Sequence, residues 1–168
     1  WDLTAGDMTI SFTYDANGNR LTMQDPLGYT SNYAYYNTGD NIGLLQSSTG
    51  PRGNTTTFAY NAHGHLSTVT DPLGNSTSYT YDSAGRKLND TNARGYTTTY
   101  SYDNFNRLLT ITNALGGNTS YSYDSVGNKL SETDANGNMT TYIYTDRDFI
   151  ETVTDAGGYI TNYSYDAA

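Results

Sequence analysis

Residues 96–116, YTTTYSYDNFNRLLTITNALG, hold the pattern that decides the fold, because close variants of this stretch recur along the chain. Its first part, Tyr96 to Tyr102, mixes Thr and Ser with Tyr, and these residue types favour β-strands. A second strand-length segment, Arg107 to Thr112, lies between Asp103-Asn-Phe-Asn106 and Asn113-Ala-Leu-Gly116. Asn, Asp and Gly at these places are typical of turns. The stretch therefore predicts a strand, a turn, a second strand and a second turn, in that order.

A key tyrosine marks each repeat and recurs at a constant spacing of about 21 residues, apart from one longer interval. A second aromatic residue stands two positions before each key tyrosine. We predict a single repeat array over residues 1–168, with about seven to eight repeats and an insertion near residues 47–52. The key tyrosines are Tyr14, Tyr35, Tyr60, Tyr81, Tyr102, Tyr123, Tyr144 and Tyr165, and the second aromatics are Phe12, Tyr33, Phe58, Tyr79, Tyr100, Tyr121, Tyr142 and Tyr163.

Each repeat carries two four-residue turn signals, one directly after the key tyrosine and the other about ten residues further on. An Asp or Asn at the first turn position can accept backbone hydrogen bonds within its own turn, and Gly at the fourth can take a positive φ. Asn106 and Asp148 replace that Gly in two repeats, and both residue types tolerate a positive φ. We predict structural turn roles for Gly18, Gly28, Gly74, Gly85, Gly95, Gly116, Gly127, Gly137, Gly158, Asp25, Asp71, Asp82, Asp124, Asp134 and Asp155.

The predicted fold class is all-β: an antiparallel meander of tandem β-hairpins with about 15 strands, or 16 if Trp1 to Ala5 form one. The two aromatics of a repeat share one face of their strand, because side chains alternate along a strand. We expect these aromatics to stack in rows across neighbouring repeats and to be buried against adjacent strands. A sheet of more than roughly 10 strands tends to curl or close, so we expect a hollow barrel-, spiral- or tube-like shell.

The repeat resembles the RHS or YD repeat family. The resemblance is carried by Tyr14-Asp-Ala-Asn-Gly-Asn-Arg-Leu21, by Asp25-Pro-Leu-Gly28 and by Tyr81-Asp-Ser-Ala-Gly-Arg-Lys-Leu88, and it covers nearly the whole chain. That family includes bacterial polymorphic toxins, insecticidal toxin-complex subunits, wall-associated proteins and teneurins. The resemblance implies a β-hairpin strip that spirals into a hollow shell, at an extracellular or cell-surface location.

The sequence also departs from the family pattern. Tyr36, Asn61 and Thr145 stand where the Asp of the Tyr-Asp pair is expected. The self-cleaving core segment and the cargo domain of toxin members have no counterpart in the sequence, so we expect neither self-cleavage nor toxin release from this chain alone.

Composition excludes several classes of function. The net charge is -9, which repels nucleic-acid phosphates. No apolar run approaches the roughly 18 residues of a membrane helix. The chain has 0 cysteines, which excludes disulfides and thiolate metal sites. We therefore predict no nucleic-acid partner and no membrane span.

Several residues suggest chemistry, but each has a structural explanation. The many Asp residues recur at turn starts, where capping accounts for them without catalysis. His63 and His65 could contact a metal, yet exposed turn histidines explain them as well. Asp15-Ala-Asn-Gly-Asn19 and Asp134-Ala-Asn-Gly-Asn138 are similar to the start of a calcium loop but lack its distal Glu. We predict no catalytic residue, no cofactor and no metal site.

Three functions remain open. The leading hypothesis is a structural module that forms the wall of a surface shell or of a polymeric fibre. The alternatives are an adhesin that binds glycans or a protein, and a fragment of a toxin-encapsulating shell. The array begins and ends partway through a repeat, so the expected partners are further copies or further repeats of the chain, joined head to tail by strand pairing. Glycans are a further candidate partner.

Overall fold

Thr-, Ser- and Tyr-rich segments form all the regular structure of the described chain. A computed structural model describes residues 9–166, and within that range the only regular elements are 15 β-strands. The odd-numbered strands are β1 Ser11–Tyr14, β3 Thr30–Tyr35, β5 Thr55–Tyr60, β7 Ser76–Tyr81, β9 Thr97–Tyr102, β11 Asn118–Tyr123, β13 Met139–Tyr144 and β15 Ile160–Asn162. All of them except β15 hold the paired aromatics of their repeat, and Tyr163 and Tyr165 follow β15. The short strands between them are β2 Arg20–Gln24, β4 Leu45–Thr49, β6 Leu66–Thr70, β8 Lys87–Thr91, β10 Leu108–Thr112, β12 Lys129–Thr133 and β14 Ile150–Thr154.

The strand order confirms the predicted antiparallel meander. The order in the sheet is the chain order, from β1 to β15. A strand at Trp1 to Ala5 was also expected, and those residues lie outside the described range. Curling into a hollow shell stays a prediction.

The chain divides into two units, Trp1–Thr80 and Tyr81–Ala168. In the first unit each of β1 to β6 pairs antiparallel with the strand that follows it. In the second unit the same is true of β8 to β14. The prediction of one repeat array over residues 1–168 stays a prediction.

A β-bulge next to the first turn sets which side chains share a face. In the β9–β10 hairpin Tyr102 pairs with Leu108, but Ser101 pairs with Thr110, so one residue of β10 is extra. Tyr100 then lies opposite Ile111. Because side chains alternate, the two tyrosines share what we call the aromatic face with Leu108 and Ile111. The opposite face, which carries Ser101 and Thr110, is called the hydroxyl face.

The aromatic rows are less buried than expected. None of the described residues is buried. The paired aromatics of β3, β5, β7, β9, β11 and β13 are half-buried, whereas those in and after the outermost strands, Phe12, Tyr14, Tyr163 and Tyr165, are exposed. A single layer of sheet leaves both of its faces open, so a ring is covered only by its neighbours in the same layer.

The insertion does not lie at residues 47–52. Residues 47–49 belong to β4, and Gly50-Pro-Arg-Gly53 is an ordinary second turn in which the Gly53 amide donates to the Gly50 carbonyl at 2.9 Å. The extra residues form a loop at 37–44 in place of the first turn, closed by the Tyr36 amide, which donates to the Leu44 carbonyl at 3.0 Å. Gly50 begins this second turn, where Asp or Asn stands in the other repeats, so the sequence pattern did not indicate a turn there.

Candidate functional site

Most turns are held by one side-chain oxygen and one residue with positive φ, and the turn at Gly50 lacks the side-chain oxygen. In the turn at Asp134, the Oδ1 atom accepts from the amides of Asn136 at 2.8 Å and Asn138 at 2.9 Å. The Gly137 amide donates to the Asp134 carbonyl at 3.0 Å, and Gly137 has a φ of 84°. Positive φ is also found at the other predicted turn positions: Gly18, Gly28, Gly74, Gly85, Gly95, Gly116, Gly127, Gly158, Asn106 and Asp148.

Hydrogen bonds lower the pKa values of several turn carboxylates. In the turns at Asp15, Asp71 and Asp134, the largest cause is the side-chain amide of an Asn four residues later, followed by the backbone amide of that Asn. At Asp82 the backbone amide of Arg86 is the largest cause of the lowered pKa. These carboxylates are ionised hydrogen-bond acceptors at neutral pH, which suits capping rather than proton transfer.

Several key tyrosines tie their repeat to the one before it. The Tyr102 hydroxyl donates to the Lys87 carbonyl at 3.0 Å, where β8 begins and β9 ends. The same bond joins other key tyrosines to the short strands that precede them. Those pairs are Tyr35 with Arg20, Tyr123 with Leu108, Tyr144 with Lys129 and Tyr165 with Ile150. Each of these hydrogen bonds joins the two strands of a hairpin at the end that is far from the turn of the hairpin.

Arginine side chains link successive first turns in the second unit. Arg107 Nε donates to Asp103 Oδ2 of its own turn at 2.6 Å. Its Nη1 donates to the Asp124 carbonyl of the next turn at 2.6 Å, and its guanidinium lies 4.8 Å from the centre of the Tyr123 ring. Arg86 makes the equivalent contacts with Asp82, the Asp103 carbonyl and the Tyr102 ring. We call this series of contacts the arginine ladder.

The predicted stacking of tyrosines between neighbouring repeats is wrong for the second unit. Ring contacts between β9, β11 and β13 are absent among the described residues. Long strands are separated by a short strand, hence by roughly 9–10 Å, and side chains of the short strand fill that space. Lys129, for example, lies 5.8 Å from the Tyr121 ring centre and 4.7 Å from that of Tyr142.

Short strands present two kinds of side chain on the aromatic face of the second unit. In β8, Lys87 Nζ lies 3.0 Å from Asp90 Oδ2, which also accepts from the Tyr100 hydroxyl at 2.6 Å. In β12, Lys129 and Glu132 form a similar ion pair at 2.7 Å. β10 and β14 instead place Leu108 with Ile111, and Ile150 with Val153, opposite the paired tyrosines. Charged and apolar short strands therefore alternate.

Sequence reasoning missed the arginine ladder and these ion pairs. The signal was present, because Arg86 and Arg107 hold the same position in successive repeats, each at the fourth place after a turn Asp. The Lys-x-x-Asp and Lys-x-x-Glu pairs, which begin at Lys87 and Lys129, hold the same position two repeats apart.

The described residues offer no metal-binding cluster of three or more His, Cys, Asp and Glu side chains. His63 and His65 lie at one turn with ring centres 6.2 Å apart. In the two stretches that are similar to calcium loops, Asp15 and Asp134 accept hydrogen bonds from their own turns. Within the part of the chain that the structure describes, no helix is long and apolar enough to cross a membrane.

The repeated hairpin with a capped turn at each end, tied to its neighbour by a tyrosine hydroxyl, defines a tandem β-hairpin repeat protein. The sequence profile of the RHS Repeat family matches residues 39–72, 60–89, 87–118, 106–139 and 123–159. Because these matches span most of the chain, the chain belongs to the RHS repeat family. No curated protein sequence matches it.

Solved structures with the same fold come from toxin complexes. The Tc holotoxin pore of Photorhabdus luminescens is 19% identical, with a TM-score of 0.75 over 94% of this chain and 10% of that chain. The crystal structure of TcdB2-TccC3 is 22% identical, with a TM-score of 0.63 over 85% of this chain and 9% of that one. This chain thus spans about one tenth of the chains that it matches.

Proposed function

We propose that this protein is a structural, non-catalytic module that forms part of the wall of an extracellular or cell-surface shell or fibre. The observation that carries the proposal is the regular tie between repeats: a key-tyrosine hydroxyl bonded to the preceding short strand. In these hydrogen bonds, the tyrosines that recur along the chain hold neighbouring repeats together. An array in which each repeat contacts only its neighbours can be extended by adding repeats.

The absence of a core among the described residues supports the same proposal. A single-layer sheet with no buried residue has open faces, as a wall does. The net charge of -9 limits unspecific lateral association of such surfaces. The proposed partners are further repeats, either in a longer chain or in further copies of this chain.

A fragment of a toxin-enclosing shell is the second candidate. The observation in its favour is that the matched structures are parts of toxin complexes. The sequence encoded downstream in the parent gene distinguishes the two candidates. A core segment followed by an unrelated C-terminal domain would favour the toxin shell, and continued repeats alone would favour a wall or fibre.

Negative-stain electron microscopy of the purified chain tests the leading proposal. We expect curved strips, rings or filaments about one sheet thick. Discrete globular particles with the mass of one chain, at every protein concentration tried, would contradict a wall-forming role.

A further inference from the structure

Three tyrosines that are neither key tyrosines nor their paired aromatics hold one equivalent position on the second turns. Tyr29, Tyr96 and Tyr159 each follow the positive-φ Gly of a second turn, and the amide of each donates to the Oδ1 atom of the residue that begins the turn. They are 58%, 53% and 78% exposed. We call them the edge tyrosines, because the second turns lie along one edge of each unit.

The edge tyrosines differ from the key tyrosines in what their hydroxyl groups contact. The Tyr102 hydroxyl donates to the Lys87 carbonyl, and other key tyrosines make the same bond. The hydroxyl groups of the edge tyrosines have no hydrogen-bond partner among residues 9–166. Each edge tyrosine is therefore fixed at its backbone amide, while its phenol ring is accessible to an oxidant and to a second ring.

Tyr159 is the most exposed of the three. Gly157 stands in its turn where Leu27 and Arg94 stand in the turns of the other two. A Cβ at Gly157 would lie 3.1 Å from Cδ2 and Cε2 of Tyr159, so the ring lies against the backbone of its own turn. Because the turn has no side chain at this position, the rest of the ring faces solvent.

The two edge tyrosines of the second unit are too far apart to react with each other. Tyr96 directly precedes β9 and Tyr159 directly precedes β15, which is six strands further along the sheet. Neighbouring strands lie about 4.8 Å apart, so the two tyrosines are separated by about 29 Å. Two tyrosine side chains cannot span that distance, so a covalent bond from either of them to an equivalent tyrosine must reach a different chain or the other unit.

We propose that the edge tyrosines are sites of dityrosine cross-linking between chains, formed by a peroxidase with hydrogen peroxide as the oxidant. Each ring gives up one electron and its phenolic proton and becomes a phenoxyl radical. Two radicals form a carbon–carbon bond between ring carbons next to the hydroxyl groups, and the hydrogens of those carbons move to the oxygens and restore both hydroxyls. Two tyrosines thus lose two hydrogen atoms, and one hydrogen peroxide is reduced to two waters.

Such bonds would lock neighbouring chains together in a protein that has 0 cysteines and so forms no disulfides. Three sites in each chain allow more than two chains to be joined. The inference goes beyond the proposed wall-forming role and does not rest on it. Association by strand pairing is non-covalent and is lost in denaturant, whereas a dityrosine bond survives denaturation.

Treatment of the purified chain with a haem peroxidase and hydrogen peroxide tests the proposal. A denaturing gel, dityrosine fluorescence and mass spectrometry of the joined peptides are the three measurements. We expect a ladder of multimers joined through Tyr29, Tyr96 and Tyr159, with Tyr159 used most often. The triple variant Tyr29→Phe/Tyr96→Phe/Tyr159→Phe should lose nearly all multimers, because phenylalanine forms no phenoxyl radical. The double variant Tyr29→Phe/Tyr96→Phe keeps one site and should stop at dimers.

The matched control replaces three half-buried tyrosines, in the variant Tyr33→Phe/Tyr121→Phe/Tyr142→Phe. Phe12 and Phe58 stand at the same position in other repeats, so this position accepts phenylalanine. The control should cross-link as the unchanged chain does. Circular dichroism establishes that each variant is folded.

Three results would overturn the proposal. The first is a folded, unchanged chain that stays monomeric on the denaturing gel under conditions that cross-link free tyrosine. The second is a triple edge variant that forms as many multimers as the unchanged chain. The third is cross-linking through other tyrosines, or only within one chain, in the joined peptides. None of these results changes what sedimentation without peroxide shows, so the proposed structural role is tested separately.

Discussion

Gly137 shows why the last position of a turn takes Gly in most repeats. Its φ is 84°, and a Cβ placed there would meet nothing within 4 Å. The requirement is therefore conformational, since the space for a side chain exists. Asn106 and Asp148 hold the same position in other turns with φ values of 66° and 61°. Both can adopt the left-handed region at a lower cost than most residues with a Cβ.

Gly137→Ala is expected to lower the free energy of unfolding by about 1 kcal/mol, because a Cβ is unfavourable at this φ. Gly137→Asn should lower it by less. Chemical denaturation of the two variants measures the difference. Equal stabilities for the Ala and Asn variants would show that φ is not what selects Gly here.

Stability should fall in acid, because turn carboxylates have lowered pKa values in the folded chain. A group with a lowered folded pKa stabilises the fold above its unfolded pKa, about 3.9 for Asp, and this contribution is lost as pH falls through the folded value. We expect the melting temperature to be constant from about pH 7 to 5 and to fall between about pH 4 and 2.

Asp134→Asn is the matched control for acid sensitivity, because Asn at Asn61, Asn92 and Asn113 caps equivalent turns in the same way. Its melting temperature should depend less on pH below about 4 than that of the unchanged chain. A melting temperature in acid, at about pH 3, equal to or above that at about pH 6 in the unchanged chain would show that the carboxylates do not stabilise the turns.

Several hairpins formed through a second turn are closed at the other end by a key tyrosine. In the β8–β9 hairpin, the turn at Asn92 joins one end and the Tyr102 hydroxyl joins the other. Without that bond the Lys87 carbonyl would lose a partner where the strands separate. The ring of Tyr102 is also covered by Arg86 of the preceding repeat.

Tyr102→Phe is expected to lower the free energy of unfolding by about 1 kcal/mol, the usual value of one hydrogen bond. Tyr96→Phe is the control, because the Tyr96 hydroxyl has no hydrogen-bond partner among the described residues, and it should have almost no effect. Thermal and chemical denaturation compare the two. Equal effects would mean that the hydroxyl bond contributes nothing.

Arg107→Ala is expected to lower the free energy of unfolding by about 1–2 kcal/mol, since it removes two charged hydrogen bonds of a half-buried side chain. Arg107→Lys should recover only part of this loss, because an ammonium cannot replace both guanidinium bonds. Arg94→Ala, an exposed arginine in the same unit, should change stability by less than about 0.5 kcal/mol. If Arg94→Ala lowered the free energy of unfolding as much as Arg107→Ala does, the contacts of the arginine ladder would not be what stabilises the fold.

The strands and turns could be predicted from the sequence because their signals are local. Alternating Tyr and Thr place β9, and Asn113 with Gly116 places the turn after β10. The neighbours of each ring could not be read in the same way, because they depend on the β-bulge that brings Leu108 and Lys129 between tyrosines. The loop at 37–44 was missed because Gly50 starts its turn without the Asp or Asn that marks most of the others.

Within each unit, stability rests on contacts between neighbouring repeats. No described residue is buried, so hydrogen bonds, half-covered rings and ion pairs between adjacent strands take the place of a core. Such an array gains one set of contacts with each added repeat. An unpaired strand edge of such an array is a surface to which a further repeat can pair.

Sedimentation velocity over a wide range of protein concentration tests the proposed wall-forming role most directly. The matched variant is Ile160→Pro. The Tyr163 amide donates to the Glu151 carbonyl, and because successive amides of a strand point to opposite sides, the Ile160 amide points away from β14. Proline has no amide hydrogen, so it would block the pairing of a further strand at that edge. We predict concentration-dependent association of the unchanged chain and its loss in Ile160→Pro. An unchanged chain that stays monomeric at all concentrations, with its first and last strands protected from hydrogen exchange, would contradict the account.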